Sequence, residues 1–448
     1  MCVLRSLLVW PLAVVLLSGA ADIGMAQEAD DTGLRTDTLV EDEPVASSVP
    51  ESSRISSGDD EEVVVRRPRS RVDPYAQQGI DTGAFLLLPS LEVSGLVSSN
   101  AARSSSNADG DVGLRLRPSL RLESQWSRHS LSGSASANTE RFLDNEDLKT
   151  VGADVSVAAR IDIRRTTRAD LTAQYALTST GTENSGVPAT ASGKRLDQTF
   201  GLGAGLTHDL GGVEGGLRLA LQRNVFGDLD LVGGGTEDNA DRDYMELTLA
   251  ARAGLRSGGI LQPFGEVAYV PRFHDKRRDR NGVKRNSQGL RLTVGTTIAD
   301  DPIWTGDIAL TFDVRDYEDA SLRTATSPGV VANLTWQPTD LTRFEFNSGA
   351  SLSETIAAGE SATKTWTAGV KGTHALRENL DVTAGLGFTL ERAAGETSTR
   401  TTGTLGVNWE MNPYLVWGAS YEGTWFNGEL AGSDYTDHRL LTSVIIRR

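Results

Sequence analysis

Five histidines are the residues of this chain best suited to catalysis, because imidazole gains and loses a proton near neutral pH. They stand at His129, His208, His274, His374 and His438. His274 and His438 each have an acidic neighbour, Asp275 and Asp437, but the two pairs fall in different predicted loops. No pattern of nucleophile, base and orienting acid surrounds either pair. The sequence therefore predicts polar side chains at a rim, no catalytic residue and no enzyme.

Acidic residues are the next candidates, since carboxylates bind metal ions. Asp and Glu number 60, yet no acidic stretch has the spacing of a calcium-binding loop. The single cysteine, Cys2, lies in a segment expected to be removed, which excludes disulfides and thiolate zinc sites. The glycines at 233–235 precede no predicted helix and so form no phosphate cradle. We therefore expect no metal site and no cofactor.

Charged side chains show the clearest order, because they occupy alternate positions in several segments. Between 151 and 163, Asp154, Arg160 and Asp162 alternate with valine, alanine and isoleucine. Successive side chains of a β-strand point to opposite faces, so such a segment has one polar and one apolar face. If the strands enclose a lumen, the polar faces line it. The pore-lining candidates are then Arg115, Arg117, Arg121, Asp154, Arg160, Asp162, Arg218, Glu246, Arg252, Arg291, Asp307, Asp313 and Arg315.

Two interpretations of these charges stay open. Interleaved charges of both signs suit the passage of a polar, weakly charged solute such as a saccharide chain. Alternatively, the charges pair across neighbouring strands and only solvate the wall. No predicted loop reaches thirty residues, so the sequence predicts no long constriction loop, and the acidic N-terminal segment could enter the lumen instead.

About eighteen strands would position these residues. They begin near residues 85, 110, 129, 148, 167, 195, 212, 241, 260, 285, 303, 326, 341, 362, 379, 397, 412 and 435, with no helical period between them. Many have twelve or more residues, and crossing a bilayer at a tilt takes about 9–11. Short predicted turns, such as 164–167 and 299–302, alternate with longer loops, such as 178–194 and 391–397. This alternation is typical of outer-membrane barrels.

The N-terminal residues predict export. Arg5 precedes an apolar stretch at 6–20 that is too short to span a bilayer, and GMA at 24–26 has the form of a cleavage site. Residues 1–26 are therefore interpreted as a signal peptide. Residues 27–82 are interpreted as a disordered acidic segment with a basic cluster at 66–71, because 12 acids against 2 arginines between 27 and 62 leave little apolar surface to bury. The barrel takes residues 83–448.

These features predict an all-β fold, a transmembrane antiparallel up-and-down β-barrel of about 18 strands, located in the outer membrane after a disordered N-terminal segment. A closed barrel leaves no strand edge unpaired in hydrocarbon. A soluble β-solenoid or sandwich array is the structural alternative. The expected partners are outer-membrane lipid and lipopolysaccharide. The net charge of −16 argues against a nucleic-acid partner.

Short stretches in a fixed order carry a family resemblance: DPY at 73–75, FLLLPSLEV at 85–93, RPSL at 117–120, WSRH at 126–129, NG at 281–282 with RNS at 285–287, YED at 317–319, WQPT at 336–339 and ET at 354–355. From Asp73 to Arg448 the chain resembles outer-membrane β-barrel porins of Gram-negative bacteria described as putative beta-barrel porin 2. The resemblance implies a barrel porin. For some relatives it also implies action in exopolysaccharide secretion, with a periplasmic polysaccharide-export protein as a partner. Many such barrels end in an aromatic residue that helps assembly, whereas this chain ends IIRR.

The leading functional hypothesis is an outer-membrane channel that exports a polysaccharide of the exopolysaccharide or capsule type. The barrel follows from the residue pattern, whereas the polysaccharide is implied by the resemblance alone. One alternative is a general diffusion porin for small polar solutes. Another is a structural or adhesin-like barrel with a closed lumen.

Overall fold

The computed structural model describes residues 74–448 apart from positions 107, 146–147, 182–186, 188–190, 257, 300, 354, 356–359, 394 and 430–432. The predicted signal peptide and most of the predicted disordered segment therefore lie outside the described residues. Among the residues that are described, no helix is long and apolar enough to cross a membrane.

Eighteen long strands form one antiparallel sheet in the described part of the chain. In order they are β1 (Phe85–Ser98), β2 (Asp111–Ser124), β3 (Ser130–Phe142), β4 (Thr150–Arg164), β5 (Thr167–Thr180), β6 (Arg195–Asp209), β7 (Val213–Phe226), β8 (Tyr244–Leu255), β9 (Leu261–Tyr269, continued as Arg272–His274), β10 (Ser287–Ile298), β11 (Trp304–Tyr317), β12 (Ala325–Thr339), β13 (Thr342–Ser353), β14 (Thr363–Arg377), β15 (Leu380–Ala393), β16 (Glu396–Asn412), β17 (Leu415–Gly428) and β18 (Tyr435–Arg447).

The sheet closes into a barrel because its last strand pairs with its first. β18 runs antiparallel to β1 from the Ser90–Arg447 pair to the Ser98–Arg439 pair. All other neighbouring barrel strands are consecutive in the chain. The predicted all-β, up-and-down barrel is confirmed, and each strand begins within three residues of its predicted position.

The connections differ between the two ends of the barrel. At one end, here called the turn end, they have two to five residues; at the other, the loop end, they reach seventeen residues at 227–243. The prediction of a longer loop at 391–397 was wrong, since β15 and β16 stay paired as far as Ala393 and Glu396. Thr397 and Thr399 continue this ladder because their branched side chains favour extended backbone.

The two faces of the barrel wall have opposite character. On the outside, Leu217, Val294 and Leu310 expose 63%, 69% and 66% of their surface. Inside, alternate positions such as Glu92 and Ser94 on β1 are buried and polar. An outward apolar face matches hydrocarbon, because each side chain pointing to lipid should carry no charge or hydrogen-bonding group.

Residues before the first strand complete the seam between β1 and β18. The ladder between β18 and β1 stops at the Ser90–Arg447 pair, and the short strand Ile80–Asp81 pairs with the start of β1 instead. Gln77 Nε2 donates to the backbone oxygens of Pro89 and Arg448, both at 2.9 Å. The described residues before 83 therefore contact the barrel wall.

Arg447 ties this seam together from a buried position. Its Nη2 donates to Glu410 Oε1 at 2.9 Å and to the backbone oxygen of Tyr75 at 2.8 Å. Arg447 is only 3% exposed, whereas its neighbour Arg448 is exposed. One arginine thus joins β16, β18 and the segment preceding β1.

We expect Arg447→Ala to lower the thermal stability of the barrel, because it leaves the Glu410 carboxylate without this buried partner, which typically costs about 3–5 kcal/mol. The measurement is the temperature at which the compact band is lost in heat-modifiability electrophoresis. Arg448→Ala is the matched control and should behave like the wild type. Equal heat resistance of the two variants would contradict the role given to Arg447.

Candidate functional site

The interior face of the barrel is the candidate functional site. All thirteen predicted pore-lining residues lie on this face, at strand positions that alternate with the exposed positions of the outer face, and none of the thirteen is itself exposed. Their role in lining a pore stays a prediction. The structure shows in addition how these residues are grouped. Most of them contact a side chain of opposite charge.

Three of the interior charges form a buried group near the loop end, here called the Glu246 cluster: Glu246, Arg272 and Arg315. Glu246 Oε2 accepts from Arg272 Nη2 at 2.8 Å and from Arg315 Nη2 at 3.0 Å. The guanidinium of Arg272 also lies over the ring of Tyr244, 4.4 Å from its centroid. These residues come from β8, β9 and β11, so the cluster links strands that are not all neighbours.

A second buried group, here called the Glu140 cluster, consists of Arg115, Glu140, Glu422 and Arg439. Arg115 Nη2 lies 2.8 Å from Glu140 Oε2, and Arg439 Nη2 lies 3.3 Å from the other oxygen of Glu140. Arg115 also approaches Glu422, at 3.9 Å. This cluster joins β2 and β3 to β17 and β18 across the seam of the barrel.

The other predicted residues occupy simpler surroundings. Arg121, Asp154 and Asp162 are half-buried on the interior face. Ion pairs join Arg291 to Asp313 (2.7 Å), Arg218 to Glu266 (2.7 Å), Arg160 to Asp170 (3.5 Å), Arg252 to Asp307 (3.6 Å) and Arg117 to Glu92 (4.0 Å). The interpretation that interior charges pair across strands thus describes most of these contacts.

Several partners were not predicted from the sequence. They share the alternating pattern of the predicted residues, which is the signal that could have identified them, although that pattern does not say which charges meet. These additional interior residues are Glu92, Glu140, Asp170, Glu266, Arg272, Glu422 and Arg439.

The upper part of the β13–β14 hairpin bends into the lumen at the loop end. Pairing between β12 and β13 stops at Ala332 and Ser348, whereas β13 and β14 stay paired to the last residue of β13. Beyond this point Leu352 packs on Ala325 and Tyr317, which lie on the interior face. The backbone oxygen of Leu352 also accepts a hydrogen bond from Arg272 Nη2 of β9 at 3.4 Å. The lumen is therefore narrowed by a strand pair, although the sequence predicted no constricting loop.

Gly329 permits this bend by offering no side chain to the hairpin. A Cβ atom at Gly329 would lie 2.2 Å from the Cβ of Ala350 and 2.9 Å from Thr311 Oγ1. Real Cβ atoms do not approach this closely, so any larger residue would displace the hairpin from β12. The inward bend thus depends on a contact between one glycine of β12 and one alanine of β13.

The loop between β1 and β2 enters the lumen from another side. Ala101 packs against Leu96, Phe142 and Leu441, which lie on the interior face of three strands. The backbone N–H of Asn100 donates to Asp437 Oδ1 at 3.1 Å, which fixes the entry of this loop. The loop end is therefore narrowed from two directions.

The histidines lie where the sequence predicted, at the two rims. His208 and His374 contact threonine hydroxyls at the turn end, and His438 Nδ1 lies 2.7 Å from Tyr421 Oη. The acids beside the two loop-end histidines face other groups. Asp275 binds Arg223 at 2.6 Å, and Asp437 binds Arg439 at 2.9 Å. Neither His–Asp pair has the geometry of a base held by its acid.

Carboxylates at the loop-end rim also accept hydrogen bonds from other groups of the protein. Burial would raise the pKa of Asp241, but hydrogen bonds from Arg280 outweigh burial and hold that pKa below its usual value. Hydrogen bonds from the Lys284 backbone and from Ser321 lower the pKa of Asp319 to about 2. Within the described residues, no group of three or more His, Cys, Asp or Glu is placed to hold a metal ion.

One comparison with known proteins matches the sequence to a family. A family model described as Putative beta-barrel porin 2 matches residues 73–448. No curated protein sequence matches the chain. Among solved structures, the chain is similar to the outer membrane protein opdK from Pseudomonas aeruginosa, with 11% identity and a TM-score of 0.39 over 81% of this chain and 99% of that one.

Two further solved structures are similar at the same level. OccK3 (OpdO) from Pseudomonas aeruginosa has 15% identity and a TM-score of 0.38 over 81% of this chain and 96% of that one. The FrpB iron transporter from Neisseria meningitidis has 8% identity and a TM-score of 0.38 over 78% of this chain. The match spans 63% of that transporter, less than two thirds of its length. Because the family model covers most of this sequence, the chain belongs to the Putative beta-barrel porin 2 family, and its barrel lies in the outer membrane.

Proposed function

We propose that this protein is an outer-membrane channel through which a polysaccharide leaves the cell. The observation that carries the proposal is the character of the interior wall, where charges of both signs are paired with one another. Arg291 with Asp313 and Arg218 with Glu266 are examples, both at 2.7 Å. A wall of paired charges favours neither cations nor anions, so hydrogen bonding decides which solute passes. Saccharides are neutral or weakly charged and rich in hydroxyl groups, which suits such a wall.

The direction of transport and the partners are part of this proposal and rest on the family. In this proposal, outer-membrane lipid and lipopolysaccharide surround the barrel. A periplasmic polysaccharide-export protein delivers the solute to the turn end. In outer-membrane barrels the short turns face the periplasm and the longer loops face outward. The narrowed loop end is then the exit.

A general diffusion porin is the second candidate function. It is favoured by the same paired wall, because small polar solutes make no demand on specific charges. A closed structural barrel is the third, and it is favoured by the hairpin and the β1–β2 loop that both enter the loop end. Channel size separates the three candidates, because only the first needs a path for an extended chain.

The first test is single-channel conductance of the purified protein in planar bilayers. We expect stable openings that are blocked reversibly by linear oligosaccharides, because a saccharide chain in the lumen displaces ions. A variant lacking residues 27–73 but retaining the described segment from 74 is the companion measurement. Openings seen only in that variant would assign the removed residues to blocking the pore, and silence in both would reject the channel.

Gly329→Ala should lower the single-channel conductance. The added Cβ would lie 2.2 Å from that of Ala350, so the hairpin must move away from the interior face of β12 and further into the lumen. Gly205→Ala is the matched control, because a Cβ on that interior glycine meets nothing closer than 3.9 Å. An unchanged conductance in Gly329→Ala would show that the hairpin does not limit the current.

A further inference from the structure

A cavity of about 190 Å³ lies between the inward-bent hairpin and the opposite part of the interior wall. Strands from β5 to β11 line one side of it, and the end of β13 lines the other. The bend of the hairpin creates this cavity, because an upright β13 would leave that side open to the lumen. The residues that matter here are Asn224, Tyr244, Arg291, Asp313, Ser351 and Leu352.

Three polar atoms around this cavity have no hydrogen-bond partner within the described structure: Asn224 Nδ2, Asp313 Oδ2 and Ser351 Oγ. Asn224 and Asp313 are each only 8% exposed. A buried polar group without a partner costs about 1–3 kcal/mol, so native structures rarely leave several together. Their coincidence at one cavity therefore points to a ligand that supplies the missing hydrogen bonds.

Neighbouring side chains fix how two of these atoms are presented. Asn224 Oδ1 accepts from Thr199 Oγ1 at 3.0 Å and from Gln222 Nε2 at 3.2 Å, which leaves the Nδ2 group as the free donor. Asp313 Oδ1 accepts from Arg291 Nε at 2.7 Å, which leaves Oδ2 as the free acceptor. The cavity thus offers a held donor and a held acceptor, with the Ser351 hydroxyl able to act as either.

The mixture of donor and acceptor selects the chemistry of the ligand. A metal cation would bind Asp313 but give nothing to the Asn224 N–H. An anion would meet Asn224 and the arginines but be repelled by Asp313 and Glu246. Hydroxyl groups both donate and accept, so a molecule carrying several of them serves all three atoms.

We propose that this cavity is a binding subsite for one hydroxylated unit of the transported solute, a saccharide residue. The inference rests on the proposed channel function and adds where the chain is held. Because Ser351 and Leu352 belong to the hairpin, the subsite sits where the hairpin narrows the loop end. A solute chain passing the constriction is therefore held there, unit by unit, by hydrogen bonds that replace those it made to water.

The test is saccharide block of single-channel current, with hexasaccharides of glucose, galactose and mannose as probes. Asp313→Asn replaces the charged acceptor with a neutral amide while Oδ1 still faces Arg291, and Asn224→Ala removes the free donor. The first change weakens one hydrogen bond to the saccharide, because hydrogen bonds to charged groups are the stronger ones, and the second removes one. We expect about tenfold weaker block from each. Polyethylene glycol of similar length, which lacks hydroxyl groups along its chain, should block wild type and variants alike.

Asp316→Asn is the matched control. Asp316 lies on the same strand, three residues from Asp313, but it is exposed on the outward face and does not line the cavity. Saccharide block should be unchanged in this variant. Ser351→Ala, which disrupts no ion pair, keeps the test decisive if a charge variant does not fold as judged by heat-modifiability.

The outcomes distinguish a failure of the proposed subsite from a failure of the proposed channel. Weaker block in the cavity variants together with wild-type block in Asp316→Asn supports the subsite. Equal block in all variants overturns the subsite and leaves a saccharide channel, with water alone meeting the three polar atoms. Conductance without any saccharide block also overturns the subsite, and absence of conductance overturns the proposed function itself.

Discussion

The barrel wall depends on the need to satisfy backbone hydrogen bonds in hydrocarbon, which offers no partners of its own. A strand exposed to hydrocarbon must be paired on both edges, and a sheet achieves this only by closing on itself. The pairing of β18 with β1 meets that need, and Ile80–Asp81 extends it where β18 has ended. Closure then fixes which face of each strand points to lipid and which to the interior. Because the face that meets lipid must be apolar and side chains alternate along each strand, the polar side chains lie on the interior face.

Charged side chains on the interior face are stabilised by partners of opposite charge. The curvature of the barrel brings such partners together from strands that are not adjacent. The Glu140 cluster and the Glu246 cluster each join strands that are not neighbours in the sheet. Buried ion pairs contribute little net stability, but removing one member is costly because the other charge remains. Such clusters therefore hold particular strands at particular distances. Arg272 illustrates the effect, since it binds Glu246 and also reaches the backbone of the bent hairpin.

The sequence predicts the wall well and the constriction poorly, for physical reasons. Alternating side chains report a strand directly, so the number of strands, their starts and their faces follow from local pattern. Contacts such as that between Arg115 and Glu422 join residues about three hundred positions apart, and no local pattern encodes them. The inward bend is harder still to predict, because it depends on the fit of Gly329 against Ala350. A glycine on a strand can serve several structural roles, and its role becomes clear only from the residue that it contacts in space.

The position of the seam also has a consequence for the energetics of the wall in lipid. β18 pairs with the seam-facing edge of β1 on one side and with β17 on the other. Without β18, both of those edges would present unpaired backbone N–H and C=O groups to hydrocarbon, where each unsatisfied group costs several kcal/mol. The wall is therefore stable in lipid only once its ring of pairings is complete, which makes closure of the barrel and its residence in the membrane a single event.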